Sequence, residues 1–332
     1  MSQSPPYAAL AGALAALVLV AFVASVRIGY ATIDVGGALA DLLAGRTSLG
    51  ALVLMELRLP RAIIGALVGF SLGLAGAAMQ GLLRNPLADA GVIGVSGAAA
   101  FGAVMAFYSG LSAGFGLALP IGGILGAGVA VALLYALAGR GSATMTLILA
   151  GVAISSLAGA LTALALNLSP NPYAATEVMF WLMGSLADRS MTHVQFAAPL
   201  LIAGWIMILV CGPALDALSL GEDTATSLGF HMARVRLLLI VGTALAVGPA
   251  VAVTGAIGFV GLVVPHLLRP LVGGRPGRLL LVSGLGGAAL VLAADIAVRV
   301  VGVRPELKLG VVTALIGAPF FLSLLWRLRR EA

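Results

Sequence analysis

The stretch Ala62-Ile-Ile-Gly65-Ala-Leu-Val-Gly69-Phe-Ser-Leu-Gly73-Leu-Ala-Gly76-Ala-Ala-Met-Gln80-Gly81-Leu82 runs for 21 residues without a charge. A helix needs about 20 apolar residues to cross the hydrocarbon core of a bilayer, so this stretch predicts a span. Nine more candidates lie around it, at roughly 8–28, 91–109, 115–137, 144–167, 193–212, 235–253, 255–272, 279–300 and 308–326. The seventh and eighth of the ten are divided only at Thr254-Gly255. The first run reads as a span rather than a signal peptide, because Met1 to Tyr7 holds no basic residue. The apolar run then continues to Ser25, too far for the h-region of a secretory signal. The expected fold class is an all-α polytopic membrane protein of ten transmembrane helices, one domain over residues 1–332.

Composition says the same. Of 332 residues, 61% are hydrophobic before 45 glycines are counted, and 9% are charged. A soluble domain carries about 25% charged residues, and a soluble globule of 33.1 kDa would show water on the order of 10⁴ Å². So few charges cannot cover that area, which excludes a soluble enzyme or regulator. One cysteine, Cys211, excludes a disulfide framework and a Cys-rich zinc or iron–sulfur site. The glycines follow no G-X-Y period and suit close helix approach in a membrane. Seventeen arginines accompany a single lysine, Lys308, in Glu306-Leu307-Lys308-Leu309-Gly310. A phosphate-binding loop needs its lysine after G-x-x-x-x-G, so ATP hydrolysis is not expected in this chain. The arginines are scattered among apolar spans without interleaved aromatics, which argues against nucleic acid.

Ten spans place both termini on one side. The tail Arg327, Arg329, Arg330 and the segment Arg269, Arg275, Arg278 are basic, and positive charge collects in the cytoplasm. Both termini are therefore expected inside. Ten basic residues then lie inside, and eight outside: Arg27, Arg46, Arg58, Arg61, Arg189, Arg299, Arg304 and Lys308. So shallow a bias implies that outer arginines are kept for a purpose.

Three connections stand out. The outer stretch 29–61 is mixed and ends in Glu56-Leu57-Arg58-Leu59-Pro60-Arg61. The outer stretch 168–192 holds Ser169-Pro170-Asn171-Pro172 and then Phe180-Trp181, an aromatic pair suited to a membrane interface. The inner stretch, about 213–234, opens on Pro213 and carries Gly221 and Gly229, each able to close a short helix. It predicts two stubby surface helices offering Leu215, Leu218, Leu220 and Leu228 to a partner. A faint echo of Gly91-Val-Ile-Gly94 in Gly255-Ala-Ile-Gly258 hints at a duplicated half.

Four constellations carry polar chemistry. In Gln80…Arg84-Asn85-Pro86-Leu87-Ala88-Asp89, Pro86 pushes Asn85 out of helical geometry and Asp89 is placed to cap the next helix. That suits a capped hairpin, and equally a constriction at the inner end of a pathway. Arg58 and Arg61, three apart beside Pro60, suit interfacial snorkelling or an anion-recognising patch. Pro265 should kink or end its helix, and His266 beside it has no Glu or Cys nearby in sequence, which favours a structural residue over a proton carrier or a haem or metal ligand. Asp295 lies four residues before Arg299, which allows a same-face pair, although an intramembrane acid is also a functional candidate.

Together these segments resemble the permease subunits of type II ABC importers, the family carrying iron chelates (siderophores, haem) and cobalamin. The matching stretches are Arg58-Leu-Pro-Arg61, Gln80…Arg84-Asn-Pro-Leu-Ala-Asp89…Gly94-Val-Ser-Gly97, Leu149-Ala-Gly-Val152 and Trp181-Leu-Met-Gly-Ser-Leu186. They continue in Leu218-Ser-Leu-Gly-Glu222…Ala225…Leu228-Gly229, Gly258-Phe-Val-Gly-Leu-Val-Val-Pro-His266…Arg269, Ala294-Asp295…Arg299 and Gly310…Phe321. The resemblance covers about residues 55–325. It implies a BtuC-like permease fold and a homodimer with its pathway along the two-fold axis, in the bacterial inner membrane. It also implies two copies of a separate ATPase, which would bind ATP and magnesium, and a periplasmic binding protein. No cofactor, metal or catalytic residue is implied in this chain. Carried over by position, Arg58, Arg61 and Arg299 would receive the binding protein's acids, and Asn85, Leu87 and Thr144 would form the cytoplasmic gate. Leu218, Leu220, Gly221, Glu222, Ala225, Leu228 and Gly229 would meet the ATPase. The chain departs from the family in Glu306-Leu307-Lys308, where Glu-Leu-Pro is usual, and in Gly274-Arg-Pro-Gly-Arg278, which lacks an Asp/Asn-His pair.

The expected cargo is haem first, ferric siderophore close behind and cobalamin third, since pore helices poor in polar groups suit a bulky cargo. A proton-coupled secondary transporter would need Asp295, His266 or His193 on its path. An intramembrane enzyme using His266 would need a nucleophile or second ligand that no motif spacing supplies.

Overall fold

The computed structural model describes residues 6–138, 144–169, 171–303 and 305–331, and every regular element among them is helical. Arg140, Pro170 and Arg304 lie outside the described residues, as do the side chains of Thr144, Arg327, Arg329 and Arg330. Helix α1 (Tyr7–Arg27) is followed by α2 (Val35–Leu43) and α3 (Leu49–Leu52), which passes through a π-helical stretch, Val53–Arg58, into α4 (Leu59–Leu83). A 3₁₀ turn at Ala90–Ile93 leads to α5 (Val95–Tyr108), the one-turn α6 (Leu111–Gly114), α7 (Ala118–Ala138) and α8 (Thr144–Asn167). Next come α9 (Pro172–Leu182), α10 (Met191–Leu209) and the short pair α11 (Gly212–Leu218) and α12 (Glu222–Ser227). The chain ends with α13 (Met232–Thr254), α14 (Val260–Leu268) running into a 3₁₀ turn at Arg269–Val272, α15 (Pro276–Val301) and α16 (Leu309–Glu331).

Each of the ten expected spans falls on a helix. Seven helical runs are long and apolar enough to cross a bilayer, and Val95–Tyr108, Val260–Val272 and Leu309–Ser323 are shorter apolar ones. The second span begins earlier than its apolar run, within one helical run Leu49–Leu83. Ser48 caps it by accepting from the Ala51 N–H at 3.2 Å. Pro60 lacks an N–H, and the π turn just before it absorbs the mismatch in the ladder.

The third and eighth spans begin later than predicted. Gly94 takes φ +82° immediately before α5, and Gly255 (φ +73°) and Phe259 (φ +67°) hold the backbone out of helix until Val260. A left-handed phenylalanine is strained; Gly317 of α16 makes the room, since a Cβ there would stand 2.4 Å from Phe259 Cβ. The echoed segments Gly91–Gly94 and Gly255–Gly258 thus occupy like places, each just before a short helix.

The core is organised around α4, most of whose residues are buried. Gly65, Gly69 and Gly73 recur every four residues on one stripe. A Cβ on Gly73 would lie 2.0 Å from the Ser283 carbonyl oxygen, and one on Gly69 would lie 2.4 Å from that of Gly287. Backbones of α4 and α15 therefore touch directly. In a membrane, where lipid is as apolar as leucine, that van der Waals contact drives association. The Trp205 indole of α10 donates to Ser71 Oγ of α4 at 2.7 Å, satisfying both groups.

Candidate functional site

At 25 residues, α4 is about 37 Å long and separates two polar ends. At one end, Arg58 is 5% exposed. It donates to the carbonyls of Val26 at 3.0 Å and Arg27 at 2.7 Å, and to that of Ala31. Arg299, 6% exposed, donates to the Ser25 carbonyl at 2.8 Å, to Ser25 Oγ at 2.7 Å and to the Ile28 carbonyl. The last carbonyls of a helix have no partner within it and carry its negative dipole end. Two arginines from distant helices therefore close the end of α1.

Arg61 takes a different role. It donates to Asp295 from Nε at 3.0 Å and from Nη2 at 2.7 Å, and its guanidinium also holds both oxygens of Glu306. The sequence-predicted pair is present too, with Arg299 Nη2 2.8 Å from Asp295 Oδ2. Three guanidiniums against two carboxylates leave one net positive charge. A cavity of about 260 Å³ opens here, lined by Tyr30, Leu57, Arg58, Arg61, Arg189 and Glu306 among others. Asp295 and Glu306 are each bridged to an arginine far away in sequence, and composition gives no sign of such a pairing. Lys308, the unusual residue in that segment, stands 5.7 Å over the Phe180 ring.

At the opposite end, Arg84 turns the chain in the left-handed region (φ +47°) and Asn85 Oδ1 accepts from the Leu87 N–H at 2.9 Å. Asn85 is exposed and Leu87 half-buried. Asp89 accepts from the Ala90 N–H at 2.7 Å, so it caps the 3₁₀ turn rather than α5 itself, whose cap is Gly94. Burial pushes the Asp89 carboxyl above the usual carboxylate range, against the pull of that hydrogen bond. Gln80, near the end of α4, is buried. It bridges two segments here, donating to the Gly261 carbonyl at 3.3 Å and accepting from Arg269 Nη2 at 2.6 Å.

The two stubby helices form as predicted. Pro213 sits in the first turn of α11, and Gly221 (φ +118°) and Gly229 (φ +90°) take backbone conformations that side chains avoid. The expectation that four leucines face a partner needs correction. Leu215 and Leu218 are buried, as is Ala225, because α11 packs into the end of the bundle. Leu215 lies against Gly81 of α4, and Asp216 accepts from the Gly277 N–H of α15 at 2.7 Å. Leu220 (71%) and Leu228 (62%) remain exposed. Glu222 is tied to Arg236 at 2.6 Å.

Among the described residues no three His, Cys, Asp or Glu side chains converge as a metal site. His266 meets Phe320 edge-on at 5.9 Å and its Nδ1 finds no hydrogen-bond partner.

The arrangement is a helical bundle with a charged knot at one end and a docking-sized pair of short helices at the other. A family model described as the FecCD transport family matches residues 8–327. The chain belongs to the FecCD transport family. Among FecCD relatives, the vitamin B12 import permease BtuC of Vibrio cholerae is 41% identical, covering 85% of each chain. The ferric enterobactin permease FepD of Escherichia coli is 41% identical over 84% of this chain and 83% of its own. The hemin permease HmuU of Yersinia pestis is 36% identical over 83% and 84%. A solved metal-chelate-type ABC transporter in an inward-facing conformation superposes with TM-score 0.84 at 32% identity, covering 97% of this chain and 99% of that one. Such FecCD proteins are permease components of type II ABC importers, not enzymes.

Proposed function

We propose that this chain is the permease of a bacterial inner-membrane importer that passes an iron chelate from a periplasmic binding protein to the cytoplasm by alternating access. The observation that carries the reading is the family match over residues 8–327. Ten helices cross the membrane with both termini cytoplasmic, and two copies of the chain enclose the pathway. Two copies of a separate ATPase bind ATP and magnesium and act on α11 and α12, meeting the exposed Leu220 and Leu228.

The charged knot is the docking face. Arg58 and Arg299 are already engaged with backbone carbonyls, so Arg61 is the group an incoming carboxylate reaches, in competition with Glu306. Asn85, Leu87 and Thr144 form the cytoplasmic gate. The cargo is haem ahead of ferric siderophore, supported by the apolar face that α8 leaves uncovered through Met145, Leu149, Val152, Leu157 and Leu164. Cobalamin is the second reading, favoured by the similarity to BtuC of Vibrio cholerae. A proton-coupled carrier is disfavoured because Asp295, its best candidate acid, is held by two arginines.

The test is uptake into liposomes containing the permease with its ATPase, supplied with loaded binding protein. Haem uptake that requires ATP hydrolysis is expected. Uptake driven by a pH gradient without the ATPase would overturn the reading.

A further inference from the structure

A groove of about 440 Å³ opens between α1, α14, α15 and α16. Its wall is apolar, formed by Leu17, Val263, Leu267, Ala289, Ile316 and Phe320 among others. Leu17, Leu267 and Ile316 are each more than half exposed. Thr313 is the hydroxyl on the wall, and it already donates to the Gly310 carbonyl at 3.1 Å.

The end of the groove nearest the short helices supplies a charge. Residues 269–278 hold Arg269, Arg275 and Arg278 and no acid. Arg269 is tied to Gln80, whereas Arg275 and Arg278 are exposed. The Arg278 guanidinium stands 5.5 Å over the ring of Tyr7, at the foot of α1. Leu267 and Leu268 carry the wall to the residue before Arg269.

The lengths agree. Gly286 and Ala293, both on the wall, are eight and fifteen residues beyond Arg278 on α15, hence about 12 and 22 Å along its axis. Half of a hydrocarbon core is about 15 Å. These lengths match a hydrocarbon chain whose head lies at the arginines.

We propose that the groove seats an acyl chain of an anionic glycerophospholipid from the surrounding bilayer, with its phosphate held by Arg275 and Arg278. Basic pockets between membrane helices select anionic headgroups in this way, and guanidinium binds phosphate through paired hydrogen bonds. An apolar helix from a second copy would fill the groove but leave both arginines without a counter-charge.

The test is native mass spectrometry of the purified permease–ATPase complex in neutral detergent, titrated with phosphatidylglycerol or phosphatidylcholine. The expected preference for phosphatidylglycerol is about thirty-fold, the factor two arginines near an anionic surface supply. An Arg275→Gln, Arg278→Gln double variant should reduce it to near parity. Ile316→Trp, which keeps the arginines but blocks the groove, should abolish retention, with unchanged elution volume as the folding check. Equal retention of both lipids, or retention unaffected by either variant, would overturn the proposal. So would a photoreactive side chain at position 316 that crosslinks a second copy of the chain instead of lipid.

Discussion

Arg61 and Asp295, 234 residues apart in sequence, are joined by hydrogen bonds of 3.0 and 2.7 Å, with Asp295 1% exposed. Asp295 also holds Arg299, so one carboxylate is shared by two guanidiniums. Removing a single partner from such a buried pair leaves uncompensated charge and costs about 3–5 kcal/mol. Asp295→Ala should lower stability in detergent by an amount of that order, read as a clearly lower thermal midpoint. Glu306→Gln, at the more exposed side of the knot, should cost much less. Equal effects from the two would contradict the geometry.

Competition at Arg61 predicts opposite signs for two charge changes. Arg61→Glu should weaken binding of the cognate binding protein at least tenfold, and Glu306→Gln, which removes the internal competitor, should strengthen it. Surface-based affinity measurement on nanodisc-embedded permease decides the matter. Unchanged affinity in both variants would remove Arg61 from the docking face.

The short helices make a labelling prediction. Cys211 is 3% exposed, so a thiol reagent cannot reach it. The wild-type chain should resist maleimide. A cysteine at position 228 should label readily, and bound ATPase should protect it. Rapid labelling of Cys211 would mean that α10 and α11 do not pack as described.

Backbone contact between α4 and α15 gives a paired test. Gly73→Ala places a Cβ against a fixed carbonyl oxygen and should cost about 1–3 kcal/mol or more. Gly128→Ala in α7 meets nothing within 4 Å and should be neutral. The readout is the yield of monodisperse protein and its thermal midpoint.

At Asp89 the sign follows from burial. Its native carboxyl titrates above its unfolded value near 3.9, so ionisation opposes folding, and the penalty grows as pH rises through that window. Asp89→Asn keeps an oxygen for the Ala90 N–H. It should raise stability at pH 7 and match the wild type near pH 3.5. A variant less stable at neutral pH would contradict this account.

Much of this architecture was legible in the chain itself. Each long helix is a continuous apolar run, which needs no tertiary information, and Asp295–Arg299 is a four-residue spacing. The early start at Leu49 was not legible because residues 29–61 are mixed, and the cap at Ser48 resembles any other serine. Likewise, Arg61 finds Asp295 because α4 and α15 touch backbone to backbone, and Leu218 is buried because α11 packs against α15 and α4. Such outcomes are set by which helices become neighbours, and a single sequence does not encode that pairing locally.

Leu215 pressing on Gly81 and Asp216 gripping Gly277 leave no slack between the stubby helices and two rods that run the full height of the bundle. On the proposed reading, a load applied at Leu220 or Leu228 would pass through these two contacts into α4 and α15 rather than be absorbed in the loop.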